Sequence, residues 1–502
     1  MSGPIGFVIT RKIKALGHAP VILGLLLLWG GAGRAGVVDD PAGSCVQISV
    51  VSELPNYTTP WNTGQLVRHR GSGFVISNRW IVTCAHVVTA AKFITVRSEH
   101  GASEFGAKVA FLADDCDLAL LRVADDRFFD GVGALPLGQE VRADCPAVVY
   151  GYPNDGNSLA ELAGNVSKFE YQTYKYPGIY KHLTFQVDAP VTVGTSGGPV
   201  LQNGAVAGVA FETVNGPAGN VLGYAIPIGL LNRLVRDVQD GVYDGVADLG
   251  VTTVPMVNAD LRQALLPEGR RNGVMVSAVY REGSADGALQ VGDVIEAIDG
   301  RLLNNFGNLD GGGRPQDYHE LLDEKQAGQT VAITGFRNRV PFARTIVLKA
   351  FPYRGRLFAN PGADREYVCC SGMVFQPLSF DVYNTFFPLS LTARRFLDDY
   401  LHSGIYLNFP EPVVLTEVLP DSANGHETNF LYEVVRDVDG VPIARLADLN
   451  QALNSPSPLH VIRFCDDVRP LVVDAAQAGL INRRIRKAYG IDEDVHLGMR
   501  DR

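Results

Sequence analysis

Gly194-Thr195-Ser196-Gly197-Gly198-Pro199 is the stretch whose reading decides the fold. Glycines on both sides of a serine let the backbone turn sharply, so that the hydroxyl stands exposed and neighbouring N–H groups converge on one point. A serine held this way suits nucleophilic attack. The backbone donors of Gly194 and Ser196, with Thr195 between them, would face the oxyanion that attack creates. A Gly-rich hairpin with no chemistry is the plainer reading of the same residues.

Two phrases upstream supply what such a serine needs. Ile81-Val82-Thr83-Cys84-Ala85-His86-Val87-Val88 reads as a buried strand running into a turn that presents His86, and a neutral imidazole is suited to take a hydroxyl proton near neutral pH. Taken alone, a structural histidine fits as well. Asp114-Asp115-Cys116-Asp117-Leu118-Ala119-Leu120-Leu121 puts Asp117 directly before an apolar strand. There a buried carboxylate can fix the histidine tautomer and stabilise the imidazolium. It can equally cap a turn, and Asp114 and Asp115 read as solvated loop charges. The order His, Asp, Ser, each beside a strand of one unit, makes chance agreement of all three far less probable than of any one.

Around these phrases, residues 36–243 alternate short β-rich runs with Gly, Pro and Asn, the pattern of an antiparallel sandwich or barrel. Apolar residues at Leu230, Leu231, Leu234, Val235 and Val238 predict a closing helix. A second unit spans 244–351 and a third 352–502, the latter ending in a charged stretch expected to be a helix or frayed end. The phrases Ile295 to Gly300 and Val434 to Gly440 resemble each other, as a diverged duplication or a coincidence of two strand-turn segments would give. The 502 residues, 46% hydrophobic and 20% charged, suit about three globular domains. A net charge of −10 without a basic block speaks against nucleic acid as partner.

Arg11, Lys12 and Lys14 precede an apolar run from Pro20 to Trp29 and small residues to Ala35, the pattern of a signal peptide spanning 1–35. An uncleaved anchor is the other reading of that run. Seven cysteines are too few and odd in number for a disulfide framework, and none has CxxC metal spacing. Cys84 and Cys116 are either bonded to each other or ordinary buried thiols. Adjacent Cys369-Cys370 reads as two strand residues before a redox switch.

Together with Gly71-Ser72-Gly73-Phe74, Phe185 to Ala189 and Gly223-Tyr224-Ala225-Ile226-Pro227, these phrases resemble the HtrA/Deg family of chymotrypsin-like serine proteases. The resemblance implies a mainly β fold: a double β-barrel protease domain followed by two PDZ-like α+β domains. In the second unit, Asp248-Leu249-Gly250-Val251 resembles a PDZ carboxylate-binding loop, with Leu249, Gly250 and Val251 capturing a peptide C-terminus. Ser371 to Leu378, Val434 to Gly440 and Asn56-Tyr57-Thr58-Thr59-Pro60-Trp61 are similar to the plant-type Deg branch. Peptide capture is not extended to the third unit. Thr195 departs from the family's usual Asn.

By the same resemblance, Pro190 and Phe211 line the primary pocket, and an uncharged base there implies small or medium aliphatic P1 residues. The resemblance further implies an ATP-independent endopeptidase acting on unfolded exported proteins, without metal or organic cofactor. It implies a trimer or multiple; Val193-Gly194-Thr195 and the loop 211–219, which contain glycine and flank the nucleophile, are candidate switch elements. The periplasm is the expected compartment. A non-proteolytic peptide-binding chaperone or scaffold is the alternative on the same fold.

Overall fold

The computed structural model describes residues 40–498, apart from positions 144, 155, 175–179, 190, 216–220, 312–313, 351–364, 387–395, 397–399, 401–403, 426 and 466–468. The N-terminal apolar segment, Pro190 and much of the loop 211–219 thus lie outside the described residues.

Two closed six-stranded barrels form the first unit. In the first, β1 (Cys45–Leu54), β2 (Gln65–Ile76), β3 (Trp80–Cys84), β4 (Ala91–Ser98), β5 (Phe105–Ala113) and β6 (Leu118–Val123) close in the order β1-β2-β3-β6-β5-β4. β3 is buried throughout, and β6 is buried except at Arg122, whose guanidinium lies 3.8 Å over the Trp80 ring. Near-continuous apolar runs are what strands with no solvent face require. The second barrel joins β7 (Pro146–Gly151), β8 (Ala160–Thr173), β9 (Lys181–Val187), β10 (Pro199–Gln202), β11 (Ala205–Asn215) and β12 (Val221–Pro227) in the order β10-β11-β12-β9-β8-β7. The short helix α1 (Ala85–Val88) follows β3, and α2 (Ile228–Asp237) closes the unit, where a helix was expected. Leu230, Leu231 and Leu234 of α2 belong to the same buried cluster as the first barrel's core.

The second unit opens with β13 (Ala247–Asp248) and β14 (Val251–Pro255), followed by helix α3 (Ala259–Leu265). β14 is an edge strand, pairing antiparallel with Val274–Val279 on one side. Helix α4 (Tyr318–Asp323) carries a capping box from Asp317 and Glu320 and lies against β13 and β9, so it bridges the two units.

In the third unit two four-stranded sheets pack with helix Ala475–Tyr489, which begins at an Asp474 cap and ends at Gly490 in the left-handed region. The charged tail from Ile481 is therefore helical as far as Tyr489. Asn56 to Trp61, joining β1 to β2, docks on this unit: Gln376 Nε2 donates to the Tyr57 carbonyl at 2.8 Å, and Trp61 meets Tyr367 edge-on. Cys369 and Cys370 are free strand residues whose thiols burial pushes up to about 12 and about 11.

The two similar phrases occupy matching places. Asp299-Gly300 and Asp439-Gly440 both turn with positive φ after a strand. The backbone N–H of each aspartate donates to a partner strand, at Ala332 and Val461, and its carboxylate accepts the N–H of the same residue.

Candidate active site

Pairing of β3 with β6 sets the first two groups. The antiparallel register places Cys84 opposite Leu118, so the residue after one strand meets the residue before the other, and the Ala85 N–H donates to the Asp117 carbonyl at 3.1 Å. Asp117 takes a left-handed conformation at φ 53, which aspartate tolerates better than most side chains. Its carboxylate is 1% exposed. One oxygen accepts the His86 backbone N–H at 2.9 Å and the other lies 2.7 Å from His86 Nδ1. Burial pushes the His86 pKa down, but the charge and hydrogen bond of Asp117, with Glu212 adding, leave it above the ordinary histidine value. That geometry puts the Nδ1 proton toward Asp117 and leaves Nε2 as the basic nitrogen.

Ser196 sits on the connection from β9 to β10, stitched between the barrels. The Ser72 N–H donates to the Ser196 carbonyl at 2.8 Å and the Gly197 N–H to the Ala210 carbonyl at 2.7 Å. Ser72 Oγ donates to the Gly194 carbonyl and accepts the Tyr152 N–H, both at 2.8 Å. Among the described residues Ser196 Oγ donates to the Phe211 carbonyl at 3.2 Å and makes no hydrogen bond to His86.

The N–H groups of Gly194 and Ser196 donate to no group among the described residues, whereas that of Thr195 is committed to the Thr192 carbonyl at 3.1 Å. This corrects the expectation for Thr195. Its side chain also turns inward onto the Thr192 carbonyl, so both donors of Thr195 close on one acceptor. Val193, by contrast, is 71% exposed at the lip. Gly197 holds φ +88, and a Cβ there would collide with the Ser72 carbonyl oxygen and Thr83 Oγ1. Gly197→Ala is expected to cost at least about 1–2 kcal/mol from the backbone conformation alone. A lowered midpoint of thermal unfolding together with loss of turnover checks it.

Phe211 is buried, and its ring packs 4.8 Å from that of Tyr174. Cys84, His86 and Asp117 hold three potential metal donors within 4.8 Å of one another. Burial pushes the Cys84 thiol well up, which opposes the thiolate a metal would require. Cys84 and Cys116 are both buried thiols that are not bonded to each other.

Asp115 is not a solvated charge. It is 2% exposed, accepting from Tyr243 Oη at 2.5 Å and from the Val246 N–H at 2.8 Å, both in the segment leading to the second unit. Arg233 of α2, fully buried, donates to the Tyr243 hydroxyl and the Gly245 carbonyl. Asp115 is held inside because these donors come from far along the chain, where no local phrase announces them.

In the second unit Leu249 is buried and its carbonyl accepts the Ala285 N–H at 2.9 Å. Gly250, at φ +74, donates its N–H to Asp248 Oδ1 at 2.6 Å, so a peptide carboxylate would have to displace an internal one there. Val251 begins the edge strand. Thr253 Oγ1 of β14 and Tyr318 Oη of α4 lie 3.1 Å apart, bridging strand and helix.

The sequence profile of the trypsin-like peptidase domain matches residues 71–209, and that of a PDZ domain matches residues 360–496, in the third unit. Protease Do-like 4, mitochondrial, of Arabidopsis thaliana is 28% identical over 423 residues, covering 83% of this chain and 78% of that protein. Protease Do-like 2, chloroplastic, of the same plant is 26% identical over 458 residues, covering 89% of this chain and 74% of its own length. The solved structure of the HtrA-type protease AlgW with decapeptide is similar over 62% of this chain and 97% of that one, at 22% identity and a TM-score of 0.47.

Proposed function

We propose that the chain is a serine endopeptidase of the HtrA/Deg family, in its plant-type branch with PDZ domains, and that it degrades unfolded proteins through a covalent acyl-enzyme on Ser196. His86 takes the Ser196 proton and returns it to the leaving amine. Asp117 holds the imidazole, and the N–H groups of Gly194 and Ser196 receive the oxyanion. The observation that carries this reading is the doubly anchored Asp117 carboxylate, one oxygen on the His86 backbone and one on its ring.

Peptide bonds are cut by water through the serine, so neither nucleotide nor metal enters the chemistry. Degradation of casein is expected to proceed without ATP and in the presence of EDTA, and to vanish in Ser196→Ala. By the resemblance, which gives the primary pocket an uncharged base, cleavage falls after small or medium aliphatic residues. Mass-spectrometric mapping of the casein fragments checks this, and a dominant Lys or Arg at P1 would refute it.

The bond from Ser196 Oγ to the Phe211 carbonyl favours a second reading, a peptide-binding chaperone or scaffold on the protease fold. The same bond also fits a resting protease that turns its serine when unfolded substrate arrives, with Val193 to Thr195 as the moving element. Turnover that rises with added unfolded protein supports the resting protease; casein left intact by the wild-type chain supports the scaffold.

The basic-then-apolar segment before residue 36 directs the chain to an exported compartment, the periplasm for a bacterial source. The mitochondrial and chloroplastic names of its relatives point to an organelle as the other destination of such a segment. Among the described residues no helix is long and apolar enough to cross a membrane. Assembly as a trimer or multiple completes the proposal, and light scattering on the purified chain tests it.

A further inference from the structure

His182 of β9 is 3% exposed and lies where the two units meet. Its Nδ1 is 2.9 Å from Asp323 Oδ1, at the end of α4, and its Nε2 is 2.8 Å from the Asp115 carbonyl oxygen. A carboxylate and a backbone carbonyl can only accept, so both contacts are hydrogen bonds only when each ring nitrogen carries a proton. The second carboxylate oxygen of Asp323 is buried and meets no donor among the described residues, which leaves His182 as that acid's compensating charge.

Asp115 is two residues before Asp117, within the single turn Asp114–Cys116 that delivers it. That turn is gripped from three sides: by His182 at the Asp115 carbonyl, by Tyr243 and Val246 at its carboxylate, and by the closing bond from the Asp117 N–H to the Asp114 carbonyl. The His182 ring also lies edge-on to Tyr174, itself in contact with Phe211, whose carbonyl holds Ser196 Oγ.

We propose that His182 is a positioning residue for the catalytic aspartate, a protonated pin by which helix α4 of the second unit fixes the Asp115–Asp117 turn. The second unit is thereby part of the catalytic machine and not only a peptide receptor. The inference rests on the assignment of His86, Asp117 and Ser196 as the triad.

The pin depends on pH. Burial works against charge on His182, but the Asp323 carboxylate, with the Asp115 carbonyl, outweighs it and raises the pKa. Other titratable groups facing it are Tyr174 and Tyr180 beside the ring and Asp248 of β13, with Tyr243 and Arg233 behind Asp115. The protonated pin holds below the raised pKa and is lost as pH rises through it. His86 must be neutral to act as base, so turnover is lost as pH falls through its own raised value. The kcat profile should then carry an acid limb from His86 and an alkaline limb from His182.

The test is kcat and KM against pH for the full chain and for His182→Gln, Asp323→Asn and the double variant, with Ser196→Ala as blank and thermal unfolding as control for folding. Asp323→Asn removes the charge that raises His182, so its alkaline limb should move to lower pH. His182→Gln should lack that limb and lose roughly 10–100-fold in plateau kcat with KM little changed, and the double variant should be no worse. An alkaline limb that stays in place in both single variants would overturn the proposal, as would an equal loss at every pH in all three. A wild-type chain no more active than Ser196→Ala would instead refute the triad assignment beneath it.

Discussion

Ser196→Ala is expected to lower kcat on the order of 10⁶-fold, down to whatever the binding groove and the oxyanion donors achieve with water alone. The substitution removes only Oγ, whose sole hydrogen bond among the described residues is to the Phe211 carbonyl. The turn itself is held by backbone bonds from Ser72 to Ser196, from Gly197 to Ala210 and from Gly198 to Thr195, none of which involves the hydroxyl. Stability should therefore stay near that of the wild type while chemistry stops. A fluorogenic peptide with an aliphatic P1 residue, followed beside a thermal melt, measures both. Activity within tenfold of wild type would mean that another group attacks.

Asp117→Asn should cost about 10⁴-fold in kcat for a different reason, as the corresponding change does in triads of this kind. Asparagine accepts the left-handed φ of 53 at this position, and its amide oxygen can still receive the His86 backbone N–H. The amide nitrogen is then turned toward Nδ1, where a hydrogen-bond acceptor stood at 2.7 Å. Nδ1 must accept, the ring proton moves to Nε2, and the nitrogen facing the serine is no longer basic. The folded chain should melt near the wild-type temperature, with KM little altered, so the loss is in the tautomer and not in the fold.

Much of the catalytic unit was legible because its signals are local. Strands β3 and β6 are buried on both faces and so read as apolar runs, and the groups of interest stand at their ends, where a run stops at Ala85-His86 or starts after Asp117. The nucleophile turn declares itself by glycines, of which Gly194 and Gly197 do need positive φ. Thr195 shows the limit: sequence places it between two donors, but only the turn reveals that its N–H closes on Thr192.

The wiring behind the site was not legible. Asp115 looks like its neighbour Asp114 in sequence, and its partners Tyr243 and Val246 lie 128 and 131 residues away. His182 pairs with residues 141 and 67 positions distant. One signal pointed to it, a histidine at an inward position of β9, where the burial of alternate residues calls for apolar side chains. Such a residue is stable only with partners, and these came from a distant turn of its own unit and from the second unit.

The most direct measurement is covalent labelling with a serine-reactive fluorophosphonate, followed by digestion and peptide mapping. A single adduct on Ser196 is predicted, forming more slowly as pH falls through the raised His86 pKa and absent from His86→Ala. An adduct on a different serine, or an unlabelled Ser196 in a preparation that still degrades casein, would contradict the assignment of Ser196 as nucleophile.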